Sequence, residues 1–84
     1  MEKLEGEHPV RSLRINRRMT QFQLSKILKI NQATLSAFET GAVHLPKHVA
    51  EEIAKIFKTN KEKLIKESDD FYSRKKEKLM QKYR

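Results

Sequence analysis

The chain has 84 residues, no cysteine and a formal net charge of +8. That length suits one small domain, and without cysteine neither a disulfide framework nor a Cys-based zinc site can hold it together. The start, MEKLEGEHP, lacks a charged-then-apolar leader pattern, and no apolar run is long enough to span a bilayer, so the default expectation is a cytoplasmic protein with no membrane partner.

Strand signals are weak, and helix signals recur along the whole chain. A first helix is expected from Pro9, a good residue for a first helical position, with Val10, Leu13 and Ile15 inward. A second follows Thr20, because Thr20 and Gln23 have the spacing of a capping box, in which each side chain satisfies the other's free backbone N–H. Leu24, Ile27 and Leu28 form its apolar face. The third runs from Asn31, the expected cap, to Gly41, which takes left-handed dihedrals without steric cost. A fourth begins at Pro46, lined by Val49, Ile53 and Ile56 and flanked by Ala50 and Phe57. A fifth begins after Asn60 with Leu64 and Ile65 inward. Ser68, Asp69 and Asp70 have the chemistry to cap a sixth, but no Gly or Pro occurs after residue 60, so one long helix is equally open. Ile65, Tyr72 and Leu79 recur every seven residues, with Met80 and Tyr83 beside the last, which gives a narrow apolar seam too short for an isolated coiled coil.

Charge is unevenly placed. Residues 10–31 carry six Arg or Lys and no acid, and residues 74–84 carry six with a single Glu. Such blocks attract polyanions. No paired-carboxylate cleft, cysteine nucleophile or Gly-rich phosphate loop is present, so no enzyme activity and no cofactor are expected. His44 and His48 are not expected to bind metal, because Pro46 breaks the helical spacing between them. Phe22 stands at a position expected to be exposed.

The third helix carries the functional signal. Only Lys29 and Ile30 separate it from the second, and so short a connection forces a sharp crossing that projects its N-terminus outward. Leu35 and Phe38 bury its back, and Gln32, Ala33, Ser36 and Ala37 form its front. Gln can bond N6 and N7 of adenine together, and small side chains let the backbone approach a groove. Free N–H groups at the starts of the second and third helices favour phosphate.

MTQFQLSKILKINQATLSAFETG resembles the helix-turn-helix of the lambda repressor, Cro and XRE-type regulators. The resemblance covers roughly Val10 to Leu64 and rests on the Thr20-Gln21 entry, Leu24, the Ile30-Asn31 turn exit, Leu35, Phe38 and the Glu39-x-Gly41 ending. It implies an all-α, five-helix lambda-repressor-like domain over residues 9–67, with a flexible segment at 1–8 and an additional C-terminal helix or tail at 68–84. It places Gln32, Ala33, Ser36 and Ala37 at base-facing positions and Gln21 at a phosphate. Asn31, Thr34, Thr40, His44, Arg17 and Lys26 complete the expected phosphate set. Arg14 and Glu39 match an internal ion pair, for which the planar fork of Arg is suited. Ser25 stands where the family often has Ala, and Arg18, Lys29 and Lys58 where it often has Gly. A non-Gly residue in a left-handed turn costs on the order of 1 kcal/mol, unless the turn is adjusted. Ala42, Val43 and Leu45 replace phosphate binders in the loop after the third helix, which points that loop toward an interface.

The implied function is a sequence-specific double-stranded DNA-binding transcriptional repressor, bacterial or phage/plasmid-encoded, acting as a homodimer on a palindromic operator. Val43, Leu45, Tyr72, Leu79, Met80 and Tyr83 are the candidate dimer contacts. Two alternatives are the antitoxin half of a toxin–antitoxin pair with the same fold, and an adaptor that binds nucleic acid without sequence preference or binds protein.

Overall fold

The computed structural model describes residues 7–82, with side chains through residue 77. Five helices follow one another: α1 (Pro9–Asn16), α2 (Gln21–Leu28), α3 (Gln32–Thr40), α4 (Lys47–Phe57) and α5 (Lys61–Lys82). The described residues contain no strand, so the architecture is all-α.

Local chemistry sets most boundaries. The His8 ring accepts from the Val10 N–H at 3.1 Å ahead of Pro9 and caps α1. Thr20 Oγ1 accepts from the Gln23 N–H at 3.1 Å while Gln23 Oε1 accepts from the Thr20 N–H at 2.9 Å, which closes the box that opens α2. Asn31 Oδ1 accepts from the Ala33 N–H at 2.8 Å and opens α3. Pro46 stands just before α4, and Asn60 Oδ1 accepts from the Lys63 N–H at 3.0 Å at the start of α5.

Three turns are closed by non-glycine residues in left-handed geometry: Arg18 (φ 56°), Lys29 (φ 59°) and Lys58 (φ 53°). Of the two readings open at these positions, the strained one applies, and the turns keep their shape without glycine. Ser25 is buried and its hydroxyl donates to the Phe22 carbonyl at 2.8 Å, so the extra oxygen is satisfied within its own helix.

Val10, Leu24, Leu35 and Ile53 are fully buried at the centre, and Leu28, Phe38, Leu45, Val49, Ala50, Ala54, Phe57 and Leu64 complete the core. Leu13, Ile30, Ile56 and Ile65 pack on its edge. Two expected inward residues are not inward: Ile27 is 50% exposed and Ile15 45%. Helix α2 has only eight residues, and Leu24 and Leu28 one turn apart already use its buried stripe. Phe57, expected on a flank, is 3% exposed and belongs to the core.

The C-terminal addition is the continuation of α5. Ser68, Asp69 and Asp70 cap nothing, because the helix runs through them and Ser68 is buried. The buried line on α5 is Leu64, Ser68 and Phe71, one position removed from the seven-residue seam, whose Ile65 and Tyr72 are half-buried at its edge. The Phe71 ring meets the His8 ring edge-on, with centroids 5.0 Å apart. His8, just before residue 9, and Phe71, just after residue 67, therefore pack together as part of the domain. Burial pushes the His8 pKa down to about 4, against a smaller opposing pull from the Glu39 carboxylate.

Candidate nucleic-acid interface

The α2–α3 corner is tight because Lys29 reverses the chain in one residue and the Ile30 N–H returns to the Ser25 carbonyl at 3.0 Å. Leu35 and Phe38 hold α3 against the core. Their burial turns the opposite side outward: Gln32 and Ala33 are exposed, and Ser36 and Ala37 are half-buried one turn later. The Gln32 side chain makes no hydrogen bond among the described residues, so its amide is free to bond a ligand through both oxygen and nitrogen.

The far end of α3 is fixed by charge. Glu39 is buried, and its carboxylate accepts from Arg14 Nε and Nη2, both at 2.9 Å. Arg14 Nη1 also donates to the Met19 carbonyl at 3.0 Å. Gln21 Nε2 donates to Glu39 Oε1 at 3.0 Å. One carboxylate thereby ties α1, the α1–α2 turn and the first residue of α2 to α3. No spacing rule pointed to the Gln21–Glu39 bond, since it crosses between elements. Gln21 retains its second amide hydrogen, and Asn31 retains its side-chain NH₂ after capping α3.

The expected phosphate residues do not form one group. Gln21, Asn31 and Thr34 stand at or near the starts of α2 and α3. Arg17 instead reaches the C-terminus of α4, where Nη2 donates to the Phe57 carbonyl at 3.3 Å and the guanidinium lies 5.4 Å from the Phe57 ring centroid. Lys26 covers the exposed Phe22 ring at 5.3 Å, on the outer side of α2 beside Ile27. Thr40 turns its hydroxyl back to the Ala37 carbonyl at 3.3 Å. His44 pairs with Asp69 of α5 and meets the Tyr72 ring edge-on at 5.1 Å. A carboxylate already holding His44 opposes an approaching phosphate.

Among the candidate dimer contacts, Leu45 is 5% exposed and packs in the domain's own core, so this fold does not offer it to a second subunit. Val43 is 48% exposed and Tyr72 is half-buried against His44. The Leu79 and Met80 side chains and all of Tyr83 lie outside the described residues. Among the described residues no three side chains of metal-binding type converge, and no helix is long and apolar enough to cross a membrane.

A short connection between two helices, the second anchored by its back and presenting a small polar front, defines a helix-turn-helix. A family model described as helix-turn-helix matches residues 10–64, more than half of the chain. The chain belongs to the lambda repressor/Cro/XRE-type helix-turn-helix family, a family of DNA-binding regulatory domains. No curated protein and no solved structure matches it significantly.

Proposed function

We propose that this DNA-binding helix-turn-helix protein is a sequence-specific repressor that reads the major groove with α3. The observation that carries the reading is the front of α3, where an unbonded Gln32 stands beside Ala33, Ser36 and Ala37 on a helix held rigidly from behind. Gln32 would bond an adenine edge through oxygen and nitrogen together, and the small residues would let the backbone approach and meet thymine methyl groups. Gln21, Asn31 and Thr34 would meet phosphates at the groove's edge. One module makes few base contacts, so two copies on a palindromic operator supply useful specificity, with Val43, Tyr72, Leu79, Met80 and Tyr83 as the contact candidates that remain after Leu45.

The test starts with selection of duplexes from a random pool, which should return an inverted repeat. Gln32→Ala should then weaken binding to that operator by about 1–3 kcal/mol and leave random DNA nearly unchanged. Equal loss on both would remove Gln32 as a base reader.

A protein partner, as for an antitoxin, is the second reading. It is favoured by Phe22 at 55% and Ile27 at 50% exposure, side by side with Lys26 and Arg17 around them. Co-expression with the product of the adjacent reading frame should give a complex that Phe22→Ser weakens while operator binding persists. Persistence of that complex in the variant would place the contact elsewhere.

A further inference from the structure

We propose that Lys75 and Lys76, beside the C-terminal end of α3, together with the adjacent Arg74 on the extension of α5, form a second contact with the DNA phosphate backbone. This inference rests on the DNA-binding reading above and adds residues that lie beyond the helix-turn-helix itself.

The first observation is placement. Gly41 ends α3, and a Cβ at Gly41 would stand 2.8 Å from Phe71 Cε1 and 3.0 Å from Lys75 Cγ. Helix α5 thus crosses directly over the exit of α3, with the stem of Lys75 against it. Lys76 lies one turn beyond Tyr72, whose ring rests on His44 of the loop that follows α3. Helix α3 has nine residues, about 13 Å at 1.5 Å per residue. The major groove is about 12 Å wide and walled by phosphates. Groups fixed at the C-terminal end of α3 therefore lie within about one groove width of the front of that helix.

Charge is the second observation. Arg74, Lys75 and Lys76 are all exposed, and among the described residues none of them is in an ion pair, although Lys75 Nζ lies 5.9 Å from the Phe71 ring centroid and Arg74 borders the groove between α1 and α5 beside Glu67 and Asp70. They open the block that runs to residue 84 with six bases and one acid. Three adjacent unpaired cations repel one another, and a polyanion removes that repulsion. The other donors expected at this end of α3 are engaged, His44 by Asp69 and Thr40 by its own helix.

The third is rigidity. Phe71, buried between His8 and Gly41, mounts the extension on the domain just before the cations begin. An arm held in place gives up less conformational freedom on binding than a loose tail does.

The experiment uses the full chain with Arg74→Gln, Lys75→Gln and Lys76→Gln combined, and a second triple variant with Lys75→Arg, Lys76→Arg and Arg74→Lys. Circular dichroism and a melting curve verify that each is folded. Operator and random duplex are titrated over a series of salt concentrations. Each phosphate contact contributes about 0.9 to the slope of log K against log salt. The Gln triple should lower that slope by about 2–3 on both duplexes and weaken both in parallel at low salt, while the charge-preserving triple restores the wild-type slope. Gln32→Ala is run beside them and should change operator affinity without changing the slope. An unchanged slope in the Gln triple overturns the proposal while leaving the Gln32 reading intact. A wild type that binds no duplex overturns both. Loss of dimer in the Gln triple, or wild-type binding to anionic vesicles with an unchanged DNA slope, would reassign these cations to a subunit contact or to a lipid surface.

Discussion

Glu39 is a carboxylate taken almost wholly out of water at the end of α3, and it is tolerable there only because Arg14 meets both of its oxygens. Removing one partner leaves the other charged and buried. Arg14→Ala should therefore destabilise the domain by about 3–5 kcal/mol in urea unfolding, enough to unfold much of so small a protein. Arg14→Leu combined with Glu39→Leu should recover most of that loss, and additive effects in this cycle would show that the pair is not coupled. His8 gives a second residue-scale prediction. Its folded pKa is about 4 against an ordinary 6.5, so between these values the unfolded chain takes up a proton that the folded chain refuses. Its contribution is complete above about pH 6.5 and is lost as pH falls toward 4, with a ceiling of about 3 kcal/mol. Asn at position 8 also caps a helix but does not titrate. In His8→Asn the fall in stability between pH 6.5 and 4 should become shallower, and an identical pH profile would show that His8 does not titrate with unfolding.

At the scale of elements, the helices are stopped by four left-handed residues, and only Gly41 is a glycine. Lys29→Gly and Lys58→Gly should each remove strain and raise stability by up to about 1 kcal/mol, a gain of about 4–8 °C in melting temperature for a domain of this size. A fall in melting temperature for both would mean that the lysine stems pack usefully and outweigh the strain. Gly41→Ala should act in the opposite direction, because its φ is 80° and the new Cβ would meet Phe71 Cε1 at 2.8 Å. Strain and crowding together should cost about 2–4 kcal/mol. In a Phe71→Ala background most of the crowding should vanish, with only the flexible Lys75 stem left to shift, and about 1–2 kcal/mol should remain from the backbone. The difference between the two backgrounds measures how firmly α5 sits on the end of α3.

For the molecule as a whole, the question is where the domain ends. Phe71 is 3% exposed, and burying a phenylalanine side chain contributes about 1.5–3 kcal/mol. Truncation after Glu67 removes Phe71 and uncovers His8, so thermal unfolding should fall by several degrees. Truncation after Glu77 keeps Phe71 and the three cations that follow it, and should melt close to the full chain. If both truncations melt alike, Phe71 contributes nothing to the fold and the boundary at residue 67 stands. The two truncations also divide the DNA contact: the longer fragment should keep most of the salt dependence, and the shorter should lose it in part.

Most of this fold was legible in local pattern. The capping box at Thr20 and Gln23, the Asn31 cap, the Gly41 stop and the start of α5 after Asn60 depend on neighbours within one helical turn, so adjacent residues determine them. The small polar front of α3 and its pairing with Leu35 and Phe38 follow from periodicity in the same way. What periodicity left open was which of two neighbouring faces is buried. Ile27 and Ile15 satisfy the helical pattern but stay about half exposed, while Phe71, one position from the seven-residue seam, finds His8 and Gly41. The fates of Gln21, Arg17 and His44 were likewise set by groups distant in sequence: Glu39, the Phe57 carbonyl and Asp69. Each of those contacts joins separate helices or a loop to a helix, so only the packing of the elements decided whether a donor stays free for DNA or is consumed by the fold. The sequence by itself determined the helices and the small polar front of α3. The tertiary structure decided which cations remain unpaired and joined the last helix to the domain, because both depend on partners more than one helical turn away.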